Sequence, residues 1–272
     1  MSFAPLKSAL LFLVVLAMPA KLSAHEFWIS PQSYTVAPGE PILADLRVGQ
    51  KFDAPAYAYI DFNITRFNLI QNGVVTKVTG RMGDLPALQM AAPGDGLVTV
   101  VHETSDNLLK WDDFEKFKSF VAHKDLKGTL EAHTALGLPP TGFKETYRRF
   151  VKSLVKVGTG TGQDIETGMR TEIIALANPY TDDVGAGFPV KLMFEQAIWP
   201  DAQIEVFEKA PDGSVVTTTV RTNGDGIAVV PVRPGMEYML DAVHMAKTGG
   251  DFAKDEPVFE SLWANLTFKV PD

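Results

Sequence analysis

The stretch "KLSAHEFWIS", residues 21–30, joins an apolar leader to the rest of the chain, and a cut between Ala24 and His25 leaves histidine at the amino terminus. A terminal histidine carries two nitrogen donors, the α-amine and the ring Nδ1, which can close a chelate ring on one metal ion. Their ordinary pKa values, roughly 7.7 to 8.0 and 6.5, let a divalent cation displace the remaining proton near neutral pH. The plain alternative is a histidine left by processing with no role. Of the other histidines, His102 ends the strand-like run "LVTVVHETS" on a face with Val98 and Val100, and His244 ends "EYMLDAVHM" on a face with Tyr238, Leu240 and Ala242. Both rings are expected at strand exits. Together with His25 they form the candidate metal site, although either one taken singly is better explained by a hydrogen bond to a loop carbonyl. His123 and His133 lack the spacing of a helix-borne pair and read as surface residues.

Other chemistries find little support. With no cysteine, disulfides and thiolate metal sites are excluded, so a metal must take nitrogen, oxygen or thioether. "GTGTG" at 158–162 lacks the lysine and helix of a phosphate loop, and no serine sits in a nucleophile elbow. The aspartates of "DGSVVTTTVRTNGDG" miss the spacing of a calcium loop. Met236, Met239 and Met245 offer soft donors for Cu(I), but methionines around one strand are more often core filler.

These residues need a frame. The composition, 46% hydrophobic and 21% charged over 272 residues, is that of a folded protein with material for one large or two small cores. Residues 1–24 read as a signal peptide whose apolar run is shorter than the about 20 residues of a spanning helix, so the processed chain is expected without a transmembrane segment, in the periplasm. The formal net charge of -8 becomes more negative once Lys7 and Lys21 are removed, which argues against nucleic acid as a partner and suits cations.

The alternation in "PILADLRVG", "AYIDFNITRFNLIQ" and "GLVTVVHET" predicts an N-terminal β-sandwich over 25–105. Residues 106–162 are expected to form a helical insert and linker, with Tyr147, Phe150, Val151, Leu154 and Val155 along one helix face and "GTGTGQD" as a flexible joint. From 163 to 272, short strands with "PDG" and "NGDG" hairpin signals predict a second, immunoglobulin-like sandwich. The fold class is therefore mainly β, two β-sandwich domains with a helical insert between them. Phe27 and Ile29, alternating with Trp28, are expected to pin the first strand and hold His25 still.

With these residues in view, the chain resembles the DUF4198 family of secreted bacterial proteins. The blocks that carry the resemblance are "HEFWISP", "APGE", "ETYRRFVKSLVKVG", "TGMRTEIIALANPY", "NGDGIAVVPVRPG" and "SLWANLTFKV", in that order. The resemblance implies a periplasmic two-part β protein, some of whose relatives pass nickel or cobalt to an uptake system in the membrane, with His25 at the opening histidine of the family, His244 after its penultimate strand and His102 at the end of a first-domain strand. The helical insert, with "VAHKDLKGTLEAH", departs from the family's pattern and puts any partner contact there in doubt. An imidazole-rich site suits Ni(II), Cu(II), Zn(II) or Co(II), and only the resemblance puts nickel first. Two further readings stay open: a copper-dependent oxidative enzyme acting on polysaccharide through a histidine brace, and a structural or adhesion-like pair of sandwiches whose histidines are incidental.

Overall fold

Alternating apolar residues do organise the chain into strands. The computed structural model describes residues 25–272; the signal peptide expected over 1–24 lies outside the described residues. In chain order come β1 (Glu26–Pro31), β2 (Thr35–Val36), β3 (Pro41–Gly49), β4 (Ala56–Tyr57), β5 (Ile64–Gln71), β6 (Val74–Lys77), β7 (Leu88–Ala91), β8 (Gly96–Thr104) and β9 (Asn107–Trp111). Helices α1 (Phe114–His123) and α2 (Thr129–Ala135) precede the long β10 (Phe143–Val157). Then follow β11 (Thr171–Ala175), β12 (Phe188–Phe194), β13 (Ala197–Ile198), β14 (Gln203–Lys209), β15 (Val215–Arg221), β16 (Ile227–Val230), β17 (Glu237–Lys247) and β18 (Phe259–Lys269).

One ten-stranded sheet runs through the molecule. Its main path is β15-β14-β17-β18-β10-β8-β5-β6, with β2 and β9 also paired to β10. Strands β10 and β18 are parallel neighbours, from Glu145↔Phe259 to Ser153↔Thr267, and join the early strands to the late ones. Smaller sheets cover its two faces. The sheet of β1, β3, β4 and β7 closes a core of Ile29, Ile42, Leu69, Val98, Val100, Val151 and Val155. The sheet of β11, β12, β13 and β16 closes a second core of Leu154, Phe188, Ile204, Leu240 and Leu266. Val151 and Leu154 of one strand thus serve cores on opposite faces, as period-2 alternation requires. Each such large side chain contributes roughly 1.5 to 3 kcal/mol on burial.

The two helices lie on the same face as β1. Asp113 caps α1 by accepting from the backbone N–H of Glu115 and Lys116, and the helix buries Phe117, Phe120 and Val121. These pack on Phe143, Phe259 and Trp263 in a third core.

The helix expected around residues 143–155 is a strand instead. Tyr147, Phe150, Val151, Leu154 and Val155 do fall at helical spacing, but a central strand covered on both faces is apolar at both parities and imitates that spacing. The flexible joint is also corrected, because residues 158–164 are tied down. Thr159 donates its N–H to Asp95 at 2.7 Å, and Asn178 Nδ2 donates to the carbonyls of Gly160 and Gly162 at 2.7 and 2.8 Å. Asp164 is buried, accepting from Lys152 Nζ at 2.6 Å and Thr99 Oγ1 at 3.0 Å. Among the described residues no helix is long and apolar enough to cross a membrane.

Candidate functional site

Strand β10 sets the geometry of the candidate site. Its odd-numbered residues Glu145, Tyr147 and Arg149 face the helices and the small sheet of β1, and Arg149 stands beside Trp263 of β18 in the parallel register. His25, just ahead of β1, is held over this face: Arg149 Nη2 donates to its carbonyl oxygen at 3.1 Å. Burial, and secondarily the Arg149 guanidinium, hold the His25 imidazole below its ordinary pKa, which favours the form with a free ring lone pair.

His25, Tyr147 and Arg149 form a wall between two cavities. The first, about 320 Å³, is also lined by His102, Phe27, Tyr57 and Asn63. The second, about 420 Å³, opens between β9, β10, β18 and the start of α1.

His102 is 1% exposed, so its place in β8 is interior rather than an exit. The register sets it opposite Phe67, whose ring meets the imidazole edge-on at 4.9 Å, and Phe27 packs at 5.2 Å. Neither Nδ1 nor Nε2 has a hydrogen-bond partner. Burial lowers its pKa to about 3, so the ring is neutral at any physiological pH. A buried polar group without a partner costs about 1–3 kcal/mol, which makes this ring an unexplained expense unless something binds it.

His244 is not brought to this site. Alternation along β17 sends Tyr238, Leu240, Ala242 and His244 toward the sheet of β11 and β12, where His244 stacks on Phe194 at 3.8 Å and meets Trp199 at 5.2 Å. Its cross-strand neighbour Leu262 pairs with Arg148, one residue out of phase with the Trp263 and Arg149 that face His25. His25 and His102 therefore line one cavity, and His244 lies on the far side of the sheet.

The remaining pair also departs from expectation in part. His133 is buried between Phe114, Phe117 and Phe143, with its Nε2 at 3.1 Å from the Pro139 carbonyl oxygen. His123 is exposed as expected, with its Nε2 at 2.9 Å from Glu205 Oε1.

Two polar clusters escaped the sequence reading. Glu145 lies under the larger cavity, accepting from Trp111 Nε1 at 2.8 Å and from Ser261 Oγ, while Trp263 Nε1 donates to the same hydroxyl at 2.9 Å. Burial pushes the Glu145 carboxyl up to about 7 against those donors. Deeper in, Lys124 at the end of α1 reaches Glu26 at 3.0 Å, Asp241 at 2.9 Å and Glu205. The three carboxylates stand close enough to share one cation, and the ammonium supplies it. Burial works against that ammonium, but Asp241, Glu26 and Glu205 outweigh it and hold its pKa above the ordinary value. Glu26 is raised to about 7, chiefly by burial. The signal for Glu145 lay in "FKETYRRF", whose odd positions line a site only when the segment is a strand.

The family model described as "Domain of unknown function (DUF4198)" matches residues 22–246. Among curated proteins none matches the chain. Among solved structures, the chain is similar to one titled "Crystal structure of tetra-tandem repeat in extending region of large adhesion protein", at 13% identity and a TM-score of 0.20. That match covers 91% of this chain and 50% of the other, so this chain spans about half its length, and a likeness at that score carries no argument.

Proposed function

The chain belongs to the DUF4198 family, and from that premise we propose that it is an exported, periplasmic protein that binds a divalent transition metal through His25 and His102 and hands it to a membrane uptake system. The observation that carries this reading is the His102 imidazole, buried, neutral and without a partner on either nitrogen, on the wall of a cavity that His25 also lines. The donors fit: two imidazoles and, after cleavage before His25, a terminal amine make a nitrogen set of the kind that Ni(II), Co(II), Cu(II) and Zn(II) favour. Nickel or cobalt is the cargo the family relationship suggests, and affinity order alone would favour copper.

With His244 removed from the set, a terminal histidine plus one further imidazole is also the donor set of a copper-dependent oxidative enzyme. That is the second reading. Copper-loaded protein given reductant, peroxide and a glycan releases oxidised fragments if it holds.

Equilibrium dialysis against nickel, cobalt, copper and zinc tests the metal reading, comparing protein that begins at His25 with protein that begins at Ala24. The extra alanine converts the amine to an amide and is expected to weaken uptake at least tenfold, as is His102→Leu, while His244→Ala leaves it unchanged. Equal uptake by both starting points removes the proposed site.

A further inference from the structure

The larger cavity is too big for an ion alone. At about 420 Å³ it falls in the range of roughly 300–1,000 Å³ typical of pockets for small organic molecules, and most of its wall is apolar or aromatic. Trp111 and Trp263 are fixed there through their ring N–H groups, and Phe120 stacks between them at 5.5 and 5.7 Å. Tyr147 adds a third flat surface.

Charge decides what such a pocket takes. Three cations reach it, and two have carboxylates of their own: Lys110 with Asp112 at 3.6 Å and Lys116 with Asp113 at 3.9 Å. Arg149 has none within salt-bridge distance among the described residues. Its guanidinium makes one hydrogen bond, to the His25 carbonyl, and its Nε is buried without a partner. The group is held by rings instead, 4.7 Å from the centre of Tyr147 and 6.0 Å from that of Trp263. A stacked, planar guanidinium keeps its fork in place, and that fork matches a carboxylate through two parallel N–H donors. Glu145, Glu26 and Asp241 act on it through space, but none of them comes within salt-bridge distance, and both Glu145 oxygens are engaged by Trp111 and Ser261.

We propose that this cavity binds a small aromatic carboxylate, with the carboxylate on Arg149 and the ring against Trp111, Tyr147 and Trp263. The site does not require a metal in the neighbouring cavity, since Arg149 is unpaired in either case.

Isothermal titration of chelator-treated full chain with phenylacetate, phenylethanol and phenethylamine tests this, with tryptophan fluorescence as a second readout. Phenylacetate is expected to bind at least tenfold more tightly than the other two and to alter the tryptophan emission. Arg149→Gln is expected to lower its affinity at least tenfold, and Arg149→Lys by less. Should Arg149→Gln fail to fold, the three ligands on the unaltered chain decide by themselves. Binding of the alcohol or amine as tightly as the acid overturns the proposal, as does binding by none of them at millimolar concentration, or binding only when metal is restored.

Discussion

His102 is costly where it stands. Replacing it with leucine removes two buried nitrogens that have no partner, so His102→Leu is expected to unfold at no lower urea concentration than the parent, even as the proposed metal uptake weakens at least tenfold. The pH dependence gives the same residue a second signature. Its folded pKa is about 3 against 6.5 unfolded, so below pH 6.5 the unfolded chain takes up a proton that the folded one refuses, and stability falls as pH falls. The advantage of His102→Leu over the parent should therefore grow between pH 6.5 and 4.5, at up to about 1.4 kcal/mol per unit. Glu145 works in the opposite direction. With a folded pKa of about 7 against 4.5 unfolded, it adds stability below pH 4.5 that is lost as pH rises to 7. Glu145→Gln should flatten that slope in urea titrations at pH 5 and pH 8. The histidines announced themselves in the sequence because few residue types can chelate. Arg149 and Glu145 did not, because their role depends on the parity of a strand that read as a helix.

At the scale of elements, a buried lysine adds to the aromatic packing that holds the helical pair. Lys124 ends α1 and sits among Glu26 of β1, Glu205 of β14 and Asp241 of β17, so a single ammonium ties the helices to both parts of the chain. Lys124→Met leaves three buried carboxylates without their cation and is expected to cost about 3–5 kcal/mol in urea unfolding. Limited trypsin digestion should then cut first near Lys127, beside the loosened helices. Helix α1 falls inside the expected helical insert, where Phe114, Phe117, Phe120 and Val121 stand at helical spacing, while the capping role of Asp113 was not read. The loop at 158–164 misled for a physical reason: its glycines and threonines have flexible composition, but their backbone groups are claimed by Asp95 and Asn178, which lie far away in sequence.

For the whole molecule, the sandwich architecture and the family were readable, because alternation and turn residues are local properties. The pairing of β10 with β18 was not, since nothing local specifies a parallel neighbour about a hundred residues away. Through that pairing the early and late strands share one sheet. Fragments 25–157 and 163–272 expressed apart are therefore expected to stay unfolded or aggregate, and to regain native circular dichroism only when mixed, while the intact chain unfolds in one transition by fluorescence and circular dichroism alike.

The position of β18 also imposes an order of events. It is the last strand in the described chain, yet it lies inside the sheet between β10 and β17. A chain threaded through a translocation pore amino terminus first cannot close that sheet until residues 259–269 have emerged. Until then β10 is left exposed along one edge, a natural place for a holding chaperone to grip.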